Sequence, residues 1–177
     1  KASELTMDLV DSVELENLST IYLYKHPELN ITVLRPCNIA GPGVRNTFSM
    51  LLSEKRSPVL WGFSPLMQFI HIDDMRDAIC TAFEKNIPGV YNVAPDDYVG
   101  FQDAIKASGS KTIQIPSVPP ALTEGIARFL NWKSFPPYLI NYFKYPVIID
   151  GSLFARTFGF KPKKTLDDIF TYYRSLK

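Results

Sequence analysis

The sequence predicts an α/β protein, because short β-branched apolar runs alternate with segments of helical period through most of its first hundred residues. Ile31-Thr-Val-Leu-Arg35 and Gly89-Val-Tyr-Asn-Val-Ala94 read as buried strands. Leu9, Val13, Leu18, Ile21 and Tyr22 recur with a period of 3.6 and read as a helix.

Taken in order, that first helix is expected to end near His26-Pro27, because a residue before proline leaves the helical region. The strand from Ile31 stops at Pro36, and the loop from Cys37 to Arg45 carries Gly41-Pro42-Gly43, which breaks any regular element. Phe48, Leu51 and Leu52 give a short helix. Pro58 to Trp61 and Gln68 to Ile72 read as strands around a Gly62/Pro65 turn. Asp73 and Asp74 are placed to cap a helix whose inner face is Met75, Ile79 and Phe83. After the strand at Gly89 come a brief helix, Phe101 to Ala107, and a strand, Thr112 to Pro116. Pro119-Pro120 and Pro136-Pro137 suit the first turns of helices rich in Leu122, Ile126, Phe129, Leu130, Leu139, Ile140 and Phe143. A last helix runs from about Thr165 to Leu176, with Leu166, Ile169, Phe170 and Tyr173 inward.

At 177 residues the chain is long enough for one layered domain plus a small lobe. Hydrophobic residues at 46% and charged residues at 21% are those of a globular protein. A net charge of +1 provides no field to recruit nucleic acid or anionic lipid. The basic residues near the end (Lys161, Lys163, Lys164, Arg174, Lys177) are interrupted by Asp167 and Asp168 and read as a solvated face. No apolar run reaches the roughly eighteen residues of a membrane span, and no signal peptide is present, so the expected location is the cytoplasm. Cys37 and Cys80 match no metal spacing, no metal site is expected, and both are read as reduced core thiols. The first residue is Lys1 rather than methionine, so an upstream portion is expected to be missing.

Four stretches carry a resemblance. HPELNITVLRPCNIAGPG (His26 to Gly43), QFIHIDDMRDAI (Gln68 to Ile79), GVYNVAPDDYV (Gly89 to Val99) and LFARTFGFKPKKTLDDIF (Leu153 to Phe170) occur in the order found in the extended short-chain dehydrogenase/reductases of the NAD-dependent epimerase/dehydratase type. The resemblance implies the carboxy-terminal part of a Rossmann-like doubly wound sheet plus a small, mostly helical substrate lobe. Residues 1–110 would hold the remainder of the Rossmann-like domain interleaved with lobe segments, and 111–177 mainly the lobe and closing helices.

In that family the loop after the matching Arg-Pro strand meets the nicotinamide end of the cofactor and the substrate. The resemblance therefore implies cofactor contact at Pro36 and Cys37 and substrate contact at Asn38. A general reason points to the same loop: ligand crevices in open α/β sheets lie outside the carboxyl ends of the strands. The plain alternative is that Pro36 stops a strand and Asn38 makes a turn. Arg45, Asn46 and Gln68 are further substrate-facing candidates, the arginine as a charge-assisted fork for a diphosphate or else a solvated loop cation. His71 and Asp73 resemble an acid/base pair but are read as architectural, with Asp73 capping the helix and His71 packing beneath the site.

Two things are missing. No glycine-rich turn of the G-x-x-G-x-x-G kind occurs, so the chain alone is not expected to hold NAD or NADP, which would bind only in a longer protein. Family members also carry a tyrosine four residues before a lysine, whose charge lowers the phenol pKa. With Glu16 in the position of the glutamate that follows that lysine, Asp8 and Ser12 occupy the tyrosine and lysine positions. Neither reproduces the chemistry, since an aspartate with a pKa near 4 is a poor proton donor at neutral pH and a serine supplies no charge. A competing register makes Lys1 the family lysine.

Three readings follow. The first is an NAD(P)-dependent epimerase, dehydratase or reductase acting on a nucleotide sugar or similar polar substrate, with this chain as its substrate-side portion. The alternative is a non-catalytic family member that binds a ligand or serves as an assembly subunit. The third is an interaction module built on the aromatic run Trp132, Phe135, Tyr138, Tyr142, Phe143 and Tyr145, which reads equally as core. Family members often dimerise through the helix of the Tyr/Lys pair, which here would make a homodimer through Asp8 to Tyr24.

Overall fold

The computed structural model describes residues 7–115 and 143–177, with side chains from residue 10 onward. The helices expected after the two Pro-Pro pairs, and the aromatic positions from Trp132 to Tyr142, lie outside the described residues. The side chain of Asp8 does too.

The chain divides into two compact units. The first comprises Lys1–Val44, Gln68–Asp97 and Ile149–Ile169. Its elements are helix α1 (Met7–Lys25), strands β1 (Thr32–Pro36), β2 (Asn38–Ala40) and β5 (Phe69–His71), helix α3 (Ile72–Lys85), strand β6 (Gly89–Val93) and helix α5 (Ser152–Phe158). Strand β1 pairs in parallel with β6 from Thr32↔Gly89 to Pro36↔Val93, and β2 pairs in parallel with β5. Parallel neighbours require crossover connections, which α3 supplies between β5 and β6.

The two faces of β1 receive different helices. Leu34 packs into the cluster of Ile70, Met75, Ala78, Ala82, Tyr91, Val93, Phe154 and Phe158. Its neighbour Arg35 points the other way, as successive strand side chains must, and its guanidinium donates to the carboxylate of Glu16 on α1. A parallel sheet covered by helices on both sides is the arrangement that continuous apolar strands such as Thr32–Pro36 call for.

The second unit comprises Arg45–Met67, Tyr98–Ile148 and Phe170–Lys177. It holds α2 (Thr47–Ser53), β3 (Arg56–Leu60), β4 (Leu66–Met67), β7 (Val99–Gly100), α4 (Phe101–Ala107) and β8 (Lys111–Ile115). Strands β3 and β8 pair in parallel, β4 and β7 antiparallel. Phe48, Phe101 and Phe143 form an aromatic core here, with Phe101 and Phe143 ring centroids 5.0 Å apart. The last helix, α6 (Leu166–Ser175), buries Ile169, Phe170 and Tyr173 as the sequence predicts.

Four expectations are corrected. The inner face of α3 is Asp74, Met75, Ala78 and Ala82, while Ile79 and Phe83 are 52% and 86% exposed. Two alanines let the helix lie close to the strands, and the bulky i, i+4 pair turns outward. Cys80, on the same outward side, is exposed rather than a core thiol. The helix is capped by His71, whose Nδ1 accepts from the Asp73 backbone N–H at 3.1 Å, while Asp73 itself sits in the first turn. The terminal basic residues are also less uniformly solvated than expected. The Lys177 ammonium donates to the carbonyls of Leu52 and Ser108 and to the Ser110 hydroxyl, and burial pulls its pKa down.

Candidate functional site

Strands β1 and β6 end together, at Pro36 and Val93, so their following loops emerge on one side of the first unit. The first loop carries Cys37 and Asn38 and the second Ala94 to Asp97. A bond from Cys37 N–H to the Val93 carbonyl, 3.0 Å long, ties the two exits. Such a pair of loops is where an open α/β sheet forms its ligand crevice.

Asn38 donates through Nδ2 to the Gln68 carbonyl at 2.9 Å, which orients its side chain and leaves Oδ1 as an acceptor. Gln68 is 2% exposed, and its amide serves the backbone at both ends. Nε2 donates to the Pro95 carbonyl at 2.9 Å, and Oε1 accepts from the Ile149 N–H at 2.8 Å. One buried residue thus joins three places: its backbone carbonyl holds Asn38, and its side chain braces the loop after β6 against the segment before α5. Gly151 makes the last approach possible: a Cβ there would lie 2.4 Å from the Ala94 carbonyl oxygen.

Electrostatically this corner is acidic and partly dry. Burial pushes the Cys37 thiol up to about 12, with Asp97 adding to the shift, so the sulfur stays protonated. Asp97 is itself raised, by desolvation first and then by neighbouring Asp96. Pro36, Cys37, Asn38 and Gln68 lie close together in the first unit, with Gln68 holding backbone. Arg45 lies exposed at the start of the second unit, and Asn46 beside it caps α2, its Oδ1 accepting from the Ser49 N–H at 2.8 Å.

His71 is buried, its Nδ1 accepting from the Asp73 backbone N–H and its Nε2 side facing Gly41. That commitment fits an architectural role. Ser12 is exposed on α1 one turn before Glu16, the partner of Arg35.

Two roles escaped the sequence reading, that of Asp74, which was expected only to cap a helix, and that of Asp97. Asp74 is buried and accepts from the backbone N–H groups of Lys163 and Lys164, each at 2.9 Å, anchoring the segment before α6. Its i, i+4, i+8 spacing with Ala78 and Ala82 was the available signal. Asp97 lies in the loop after a buried strand, where the crevice rule would have placed it.

Taken together, the parallel strands β1 and β6 and the helices on their two faces define an α/β fold of the Rossmann-like kind. Residues 14–94 match the NAD dependent epimerase/dehydratase family. An uncharacterized protein of Mycobacterium tuberculosis is 23% identical over 163 residues, a match covering 92% of this chain and 43% of that protein. The chain thus spans less than half the length of the curated relatives it matches. Among solved structures, UDP-glucuronic acid 4-epimerase from Bacillus cereus, in complex with UDP-glucuronic acid and NAD, is 22% identical with a TM-score of 0.67, and the match covers 99% of this chain and 56% of that one. RMD from Pseudomonas aeruginosa, complexed with NADPH, is 14% identical with a TM-score of 0.67, covering 99% and 60%. At these identities the structural likeness establishes the fold.

Among the described residues no glycine-rich turn opens a helix to receive the pyrophosphate of a dinucleotide.

Proposed function

We propose that this chain is the substrate-side portion of an NAD(P)-dependent epimerase, dehydratase or reductase that acts on a nucleotide sugar or a similar polar substrate. The observation that carries the reading is the pair of braced loops at the ends of β1 and β6, held by Gln68 and lined by Cys37, Asn38 and Asp97. Within the first unit Pro36 and Cys37 contribute cofactor-facing backbone and Asn38 a substrate contact; Arg45 and Asn46, in the second unit, are substrate-facing candidates in their own right. Gln68 acts as a positioning residue. Neither NAD nor NADP is assigned, because the selecting acidic or basic group of such folds lies near a second strand that is not among the described residues.

Ser12 carries no charge to lower a phenol pKa, so the proton-transfer pair is assigned to residues other than Asp8 and Ser12. Two thiols outside any disulfide support a reducing compartment, the cytoplasm. The outward stripe of Leu15, Leu18, Ile21 and Tyr22 on α1 supports a homodimer through this helix.

Titration of the chain with UDP-glucuronic acid, followed by amide NMR, tests the binding role. Perturbations are expected at Cys37, Asn38, Ala94 and Asp97. Millimolar ligand that moves none of these, or moves only residues of β3 and β8, would sink the assignment. In any longer form with measurable turnover, Asp8→Ala is expected to leave the rate unchanged.

A further inference from the structure

An α-helix leaves its last four carbonyls without partners of its own. In the second unit two helices bring such carbonyls to one point. Leu52 lies in the last turn of α2, and Ser108 is the C-cap of α4. The ammonium of Lys177, just beyond α6, sits between them, 2.8 Å from the Leu52 carbonyl oxygen and 2.5 Å from that of Ser108. The hydroxyl oxygens of Ser110 and Ser108 complete the shell at 2.6 and 3.3 Å. The Arg174 guanidinium takes the Ala107 carbonyl at 2.9 Å, so the end of α4 draws a cation at two of its free carbonyls.

All four oxygens offer lone pairs only. The Ser108 hydroxyl donates its proton to the Ile105 carbonyl and the Ser110 hydroxyl to the Glu54 carbonyl, each at 2.7 Å. Neither hydroxyl has a proton left for the centre. Leu52 and Ser108 are fully buried and Ser110 is 6% exposed, so the shell is built from the interior. Without a cation or a donor in their midst these oxygens would face one another unpaired, which is costly away from water. The shell carries no formal charge, and Glu54 is the carboxylate that acts on Lys177, through space. Neutral carbonyl and hydroxyl oxygens of this kind replace the hydration of a large monovalent cation. Calcium and magnesium call for carboxylates instead.

We propose that the shell of Leu52, Ser108 and Ser110 is a site for a monovalent cation of the potassium or ammonium class, which Lys177 fills as a tethered occupant. The side chain supplies in cis the ion that the two helix ends require, and the second unit is thereby independent of a dissolved one. With the lysine removed, the same oxygens bind potassium or ammonium from solution. Three N–H donors of the ammonium meet the Leu52 and Ser108 carbonyls and the Ser110 hydroxyl, and a free ion takes the same three contacts.

Lys177→Ala vacates the shell and keeps every oxygen of it. Urea unfolding of this variant is followed in the chlorides of potassium, ammonium and choline at one ionic strength, each midpoint taken relative to the parent in the same salt. In choline the midpoint is expected to fall by about 0.5–1 M. Potassium or ammonium is expected to restore at least half of that loss. Adding Ser110→Ala removes one oxygen of the shell and should abolish the recovery. An equal loss in all three salts, no loss in choline, or a recovery that survives Ser110→Ala overturns the proposal. The unmodified chain gives a readout that needs no variant to fold. The ammonium protons of Lys177, followed by proton–nitrogen NMR, are expected to exchange with water at least about tenfold more slowly than those of exposed Lys161. Equal exchange at the two lysines means that no shell closes on Lys177, and the proposal falls.

Discussion

Replacing Gln68 with leucine removes the brace while keeping similar volume, so its cost isolates the two hydrogen bonds. The Pro95 carbonyl and the Ile149 N–H would each lose a partner in a 2%-exposed setting. An orphaned buried group costs about 1–3 kcal/mol. Because the carbonyl has a second lone pair and the loops relax, a total of about 2–4 kcal/mol is expected. Gln68→Glu sharpens the test. The introduced carboxyl keeps an acceptor for Ile149 but, when ionised, sets an oxygen against the Pro95 carbonyl. Burial raises its folded pKa above the unfolded value near 4.3, so the penalty is full well above the folded pKa. It shrinks as pH falls through that pKa and is gone below about 4.3, where the protonated carboxyl donates to Pro95. Urea unfolding of the parent and both variants at pH 7 and pH 4, compared at each pH, measures this. A leucine variant within about 0.5 kcal/mol of the parent, or a glutamate variant relatively worse at pH 4 than at pH 7, refutes the brace.

Cysteine labelling should be ordered. With its thiol pushed up to about 12, Cys37 presents roughly a thousandfold less thiolate at pH 8 than an ordinary thiol, so iodoacetamide should take exposed Cys80 first; mass spectrometry showing Cys37 modified first in the folded chain contradicts the burial. Gly151→Ala drives a methyl into the Ala94 carbonyl, and a loss of about 1–3 kcal/mol in urea unfolding is expected; an unchanged midpoint would mean that the two segments do not meet. The Asp168 carboxyl, held below its usual range chiefly by the Thr165 N–H, stabilises the start of α6 above the unfolded value of 3.8, and this contribution is lost as pH falls through the lower folded pKa. Asp168→Asn should flatten that part of the acid-unfolding curve, and an identical curve would count against it.

What the sequence made legible follows the range of the interactions involved. Strands β1 and β6 and helices α1 and α4 are encoded by local apolar pattern, and proline and glycine punctuation marks their ends. They appear within a residue or two of where the pattern places them. The face of α3 was misread because large apolar residues were assumed to lie inward, whereas contact with the strands selected Ala78 and Ala82 for closeness. The site was read to the same depth. Pro36, Cys37 and Asn38 follow directly on a buried strand, so a local rule finds them. Gln68 and Asp74 are polar residues beside apolar ones, and polarity alone suggests an outward or functional role. Their partners are backbone groups of Pro95, Ile149, Lys163 and Lys164, between 27 and 90 residues along the chain. No local pattern announces such partners, yet they decide what the side chain does. A buried amide or carboxylate in this fold is therefore read first as a fastener for a distant loop. It is a candidate ligand contact only when its backbone partners leave an atom over, as they do for Oδ1 of Asn38 and do not for the amide of Gln68.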